Sequence, residues 1–271
     1  MPKQWEKEMS EKKWYKLIFK QVQPIHIGFG SYGVINETRI FIPGWTMWGA
    51  LTKAYNLKNR KSLSDNQELF SKISCFFPAF KKNDNFEILF PKFKDGEFHL
   101  GEYSEDKFRA KFVDTFMSTA INPLSNTALD DSLHELNVIL PGAKADFCEK
   151  EEEKQLYWAG IIELDENIKI PNEIYIGGDV KYGLGKMILK ASENIQDTNE
   201  EFKNFKKANY FPVNNESEEI KKVELLIEIE KAWETKDLTV KLCNGGKGFF
   251  HIPGAEISDL EGNYILKGIL S

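Results

Sequence analysis

The stretch Ile176-Gly-Gly-Asp-Val-Lys-Tyr-Gly-Leu-Gly-Lys-Met187, written IGGDVKYGLGKM, sets four glycines within nine residues of a chain that has only 19 in 271. Glycine tolerates positive φ and leaves its amide unshielded, so such a concentration marks a tight structural turn or a loop that a ligand approaches closely. A dinucleotide fingerprint needs G-x-G-x-x-G after a strand and at the opening of a helix. Here the spacing is GGxxxxGxG, and the KMILK that follows reads as a strand. A P-loop needs Gly-Lys-Ser/Thr after its four-residue gap, but Gly183 is followed by Leu184. Two readings remain: a turn between two strands, or a loop packed on an extended polyanion. In the second, Lys181 and Lys186 supply counter-charge and Tyr182 stacks on a base.

The rest of the composition is globular, with 41% hydrophobic, 29% charged and 13% aromatic residues, 20 of them Phe. A chain of this length buries a sizeable core, at the upper edge of one domain or the lower edge of two. No run approaches the roughly eighteen apolar residues of a membrane span. The opening MPKQWEKEMSEKKW is charged throughout, unlike a secretory signal. Cys75, Cys148 and Cys243 lie far apart and form no C-x-x-C pair, which suits a reducing cytoplasm. The four histidines are equally scattered, so neither a metal site nor a cofactor is expected. A net charge of −6 argues against a plainly basic nucleic-acid binder. The acids cluster in Glu149–Glu153 and Asp197–Glu201, however, which read as solvated loops and leave room for a basic groove elsewhere.

Along the chain, residues 1–13 read as a charged, helical lead-in and Tyr15–Val22 as the first strand. Gln23–Asn36, with Pro24, Gly28, Gly30 and Gly33, reads as a loop. Thr38–Ile42 is a short extended run, and Trp45–Leu57 has helical spacing with one apolar face. Phe86–Phe90, His134–Leu140, Leu156–Leu164 and Lys186–Lys190 read as strands. Glu105–Phe116 fits either helix or strand. Polar residues 192–219 suggest a surface connection, and Lys222–Glu230 alternates as one half-buried strand. The expected class is α+β. The expected division is residues 1–191, a connecting segment 192–218 and a β-rich segment 219–271.

Three motifs in order carry a family resemblance. IGGDVKYGLGKM resembles the glycine-rich loop of the RAMP superfamily of CRISPR-associated proteins. Ile40-Phe-Ile-Pro-Gly-Trp-Thr-Met-Trp-Gly-Ala-Leu51 is similar to that superfamily's I-P-G-S-S-L-R-G-A-L helix start. Thr119–Leu129, then His134-Glu-Leu136 and Tyr157-Trp-Ala-Gly-Ile-Ile162, resemble stretches of type III effector subunits, and Gly248–Gly254 resembles a C-terminal segment of the same subunits.

The resemblance implies a ferredoxin-like, RRM-like βαββαβ core with insertions. A second, partial ferredoxin-like unit is one reading of the C-terminus. It also implies a cytoplasmic antiviral role as a crRNA-binding subunit of a type III interference complex. Its partners would be crRNA, the other effector subunits and, indirectly, target RNA, with no membrane. The RNA-binding residues would be Gly177, Gly178, Lys181, Tyr182, Gly183, Gly185 and Lys186 of the loop, with Thr46 and Lys53 at the helix start.

Two departures shape this expectation. The family's helix start carries Ser and Arg, but here Trp45, Thr46 and Trp48 replace most of that, and Trp48 stands where the Arg would be. Both tryptophans read as packing residues. Slicing subunits also carry an Asp in the loop after the first strand, where this chain reads GFGSYGVINETR, with Asn36 and Glu37 but no Asp. An amide is not an anionic metal ligand, so metal-dependent RNA cleavage is not expected, and an end or capping subunit is favoured. The alternatives are a metal-independent endoribonuclease processing precursor crRNA with His26 as its acid or base, and a structural subunit that has lost RNA contact.

Overall fold

The computed structural model describes residues 12–213, 223–231, 238–243, 248–255 and 264–270. Of the expected helical lead-in, residues 1–11 lie outside this set. Strand β1 (Lys12–Gln21) opens the described chain. Leu17 and Phe19 enter one apolar cluster and Ile18 another, all fully buried. Alternation of side chains across a strand thus buries both faces of β1.

The segment read as a loop instead holds a hairpin, β2 (Gly28–Tyr32) and β3 (Ile35–Thr38). Gly33, at φ 61°, makes its two-residue turn, and the glycines had hidden the strand pattern. Of the expected strand over 38–42, Thr38 ends β3 and beyond it there is one isolated bridge, Ile42 to Phe76. Helix α1 (Gly44–Lys58) follows as the spacing predicts and buries Met47, Ala50 and Leu51.

Next come β4 (Phe77–Lys82), β5 (Asn85–Ile88), β6 (Pro91–Lys94), β7 (Glu97–Leu100) and β8 (Tyr103–Ser104). The ambiguous stretch at 105–116 turns out to be both elements, α2 (Glu105–Phe112) and then β9 (Val113–Ser118). The Ser104 hydroxyl caps α2 by accepting from the Lys107 amide. A small hairpin, β10 (Ile121–Asn122) and β11 (Thr127–Ala128), leads to β12 (His134–Ile139) and β13 (Tyr157–Asp165). After β14 (Glu173–Tyr175) and β15 (Lys186–Asn194), helix α3 (Glu200–Lys207) buries Phe202 and Phe205. Within the polar stretch read as a surface connection, Phe202, Phe205, Ala208 and Tyr210 are buried, while residues 196–200 are exposed.

The main sheet runs β14-β15-β1-β13-β4-β5, antiparallel throughout. Its inner four strands, β15-β1-β13-β4, have ferredoxin-like order, with α1 as the first crossover. At the centre β13 presses so closely on Phe76 that a Cβ on Gly160 would lie 2.4 Å from the ring. The second crossover, unlike the βαββαβ expectation, has no α-helix. Gly177, Asp179, Gly183 and Gly185 all have positive φ, between 53° and 90°, a conformation that no right-handed helix accommodates. Only a 3₁₀ turn, Val180–Tyr182, forms there.

A second sheet, β2-β3-β12-β9, stands beside the first. The C-terminal part supplies β16 (Phe211–Pro212), β17 (Val223–Leu225), β18 (Ile227–Lys231), β19 (Leu238–Leu242), β20 (Phe249–His251), β21 (Ile265–Leu266) and β22 (Ile269–Leu270). The single strand expected over 222–230 is divided between two sheets. Buried Leu226 separates them, its amide donating to the Gly248 carbonyl at 2.7 Å. The protein is of the α+β class.

Candidate nucleic-acid interface

The glycine loop joins β14 to β15 and is tied to the segment just after β1. The Gly178 amide donates to the His26 carbonyl at 2.9 Å, and the Gly185 amide to the Pro24 carbonyl at 2.9 Å. These contacts explain two of the glycines. A Cβ on Gly177 would fall 2.1 Å from the His26 oxygen, and one on Gly185 would fall 2.4 Å from the Ile176 oxygen. Gly183 differs: its φ is 86°, yet nothing lies within 4 Å of a Cβ there. Part of the loop is thus glycine for packing, and the amides of Gly178 and Gly185 serve the protein itself rather than a ligand.

His26 lies beneath this junction, 8% exposed. Its Nδ1 is 2.8 Å from the Asn137 carbonyl. A carbonyl only accepts, so Nδ1 carries the proton and donates. The Cδ2 edge sits under Gly178, 3.2 Å from where a Cβ would stand. Among the other histidines, the His251 ring stacks on Phe211 with centroids 4.4 Å apart, and His134 Nε2 lies 2.7 Å from the Ser118 hydroxyl.

The inner loop and the start of α1 converge on a cleft of about 430 Å³ whose walls include Gly177, Gly178, Thr46, Lys53, Tyr175 and Arg39. Pro43 caps α1 without a side-chain hydrogen bond, and its first turn holds no acid. The Thr46 and Met47 amides turn back to the Pro43 carbonyl at 3.0 and 3.2 Å, so what the helix start offers an anion is the positive end of its dipole. Lys53 is exposed two turns beyond Thr46 on the same face of the helix. Of the residues chosen from sequence, Gly177, Gly178, Thr46 and Lys53 are thus brought together. Lys181, Tyr182, Gly183, Gly185 and Lys186 do not line the cleft.

On the outer turn of the loop Tyr182 is 72% exposed, with the Lys181 ammonium 4.9 Å from its ring centroid. Lys186 is a weaker candidate than its neighbour, because it pairs with Glu173 at 2.9 Å. That hydrogen bond holds its ammonium above the usual lysine range and the Glu173 carboxyl below its own.

The tryptophans at the helix start pack as expected. Trp45 meets Tyr210, ring centroids 5.0 Å apart, and also forms part of the cleft wall. Trp48 Nε1 donates to the Gln67 carbonyl at 2.7 Å, and the Lys267 ammonium sits 3.9 Å from its ring centroid. Asn36, in β3, is tied to Ser31 at 2.7 Å. Among the described residues no three His, Cys, Asp or Glu side chains gather as a metal site.

Arg39 is the residue that sequence reading passed over. Its guanidinium donates to Glu224 Oε2 at 2.8 Å and to the Tyr210 hydroxyl at 3.2 Å, and a second bond runs to Glu224 Oε1. Burial opposes its charge, but the bidentate partner outweighs it and holds the guanidinium above its ordinary pKa. One signal was available. A lone Arg inside the apolar run Thr38-Arg-Ile-Phe-Ile42 must find a partner, because arginine is seldom buried without one.

No family model matches the chain, and no curated protein matches it. Among solved structures, it is similar to a chain of the type III-B Cmr-beta complex bound to cognate target RNA, determined by cryo-EM. The TM-score is 0.52 at 13% identity, over 93% of this chain and 86% of that one. A chain of the same complex bound to cognate target RNA and AMPPnP matches over the same shares at 13% identity, with a TM-score of 0.50. At such identity the likeness defines the fold: this protein has the α+β fold of chains found in type III-B Cmr-beta complexes. No helix among the described residues is long and apolar enough to cross a membrane.

Proposed function

We propose that this protein is a non-catalytic, RAMP-type subunit of a type III CRISPR interference complex that grips the backbone of crRNA. The observation that carries the reading is the cleft where the inner glycine loop meets the uncapped start of α1, with Lys53 exposed at its edge. The positive end of a helix dipole, exposed backbone and a flexible ammonium together recognise phosphate without reading sequence. Lys181 and Tyr182 extend the track along the outer loop, one as counter-charge and one as a stacking platform. The fold likeness to chains of an RNA-bound complex supports the same reading.

Partners among the other subunits are supported by exposed apolar side chains on the arm from β9 to β12. Met117 is 71%, Ile121 64% and Leu124 95% exposed, a concentration that marks a contact surface. The processing-enzyme alternative is disfavoured because His26 is buried and committed to Asn137. The test is binding of labelled CRISPR-repeat RNA across a salt series. Binding should weaken with salt, the Lys53→Ala/Lys181→Ala variant should have a shallower slope, and the RNA should remain intact. Cleaved RNA, or binding indifferent to salt, would refute the proposal.

A further inference from the structure

Arg39 belongs to two clefts. Besides the one described above, it forms part of a second, about 340 Å³, whose walls include Phe29, Phe41, Phe93, Phe98, Ile40 and Ile252. The chain itself links the two, since Gly28 lines the first and Phe29 the second. The chemistry of the second is different. Its rings form a continuous wall, with Phe93 and Phe98 centroids 5.6 Å apart and Phe41 and Phe98 6.3 Å apart. Phe29 stands at the mouth, 49% exposed, and the Arg39 guanidinium lies 4.8 Å from its centroid.

The charges on this wall are matched. Arg39 is held by Glu224, and Arg109 Nε donates to Glu105 at 2.8 Å while its Nη1 donates to the Thr38 carbonyl at 3.0 Å. Two guanidiniums and two carboxylates leave no net charge, so the cleft has no particular attraction for phosphate. It presents aromatic faces together with hydrogen-bond donors and acceptors, the two things a nucleobase offers in return.

We propose that this second cleft receives one unstacked base of the RNA whose backbone lies in the first. The inference rests on the guide-RNA reading and adds to it a base-binding site built from Phe29, Arg39 and the ring wall behind them. An apolar side chain from a neighbouring subunit would use the rings alone, whereas the polar edge of a base also meets the N–H groups and carboxylate oxygens beside them, so a base is the better match.

The experiment compares wild type, Phe29→Ala and Lys53→Ala/Lys181→Ala on single-stranded CRISPR-repeat RNA and on the same RNA with abasic residues throughout. Phe29 is half exposed, so its truncation spares the core. On normal RNA, Phe29→Ala should bind about ten-fold more weakly with an unchanged salt slope. On abasic RNA it should bind as wild type does. Equal affinity of Phe29→Ala and wild type for normal RNA, while the lysine variant weakens, would overturn the base site and leave the guide-RNA reading standing. An equal loss on both RNAs would also overturn it, because the ring would then act through backbone or structure. If Phe29→Ala retains RNA affinity but fails to assemble with other effector subunits, the cleft is a protein contact. Failure of wild type to bind either RNA at low salt would remove the guide-RNA reading itself.

Discussion

The two ends of the glycine loop look alike in sequence and behave differently in the protein. At the inner end Gly177, Gly178 and Gly185 are bound to residues 24–26 and 176, where a Cβ has no space or the amide has a partner. At the outer end Lys181, Tyr182 and Gly183 stand free in solvent, and Gly183 has open space around it. A cluster of glycines therefore need not be one device. Here one half is a packing joint between crossover and first strand that also shapes the cleft wall, and the other stands in solvent as a separate surface.

Gly177→Ala tests the inner end most severely. The new methyl would stand 2.1 Å from a backbone oxygen at φ 81°, combining left-handed strain with overpacking against an atom that has no rotamer to move. Roughly 3–4 kcal/mol of destabilisation follows, measurable by urea unfolding. Wild-type stability for this variant would mean that the inner end is not a joint. The next effect is on binding alone. Lys53→Ala/Lys181→Ala should keep wild-type unfolding and weaken RNA binding about ten-fold at low salt, because each lost phosphate contact lowers the slope by about 0.7 on a single strand.

The legibility of these features follows their physics. β1, α1, β12 and β13 were readable because two-fold or helical periodicity is imposed by burial and survives in the residue types. The hairpin β2–β3 was not, since its glycines and polar residues make a strand without an apolar face. The division of 222–230 was hidden too, because alternation describes each ladder but not where the chain leaves one for the next. At the site, the loop and helix start were visible as motifs. Arg39 was not, since its importance comes from Glu224 and Tyr210, far away in sequence. The Lys186–Glu173 pair was hidden for the same reason, joining residues on neighbouring strands across the loop itself.

Gly183→Ala probes the outer end more gently. Without a steric neighbour only the backbone conformation is strained, so about 1 kcal/mol of stability should be lost, well below the effect at Gly177. A loss as large as that at Gly177 would mean that the outer turn is also a joint. The smallest expected effect separates the two lysines that flank the turn. Lys181 is exposed beside Tyr182, whereas the charge of Lys186 is already answered by Glu173. Lys186→Ala should therefore change RNA affinity by less than about two-fold, while Lys181→Ala alone changes it by more. Adding Glu173→Gln to the wild type should strengthen binding slightly, by releasing the Lys186 ammonium toward the RNA. If Lys186→Ala instead weakens binding as much as Lys181→Ala does, the ion pair opens on contact with RNA. The charged track would then run the full length of the loop rather than stopping at its outer turn.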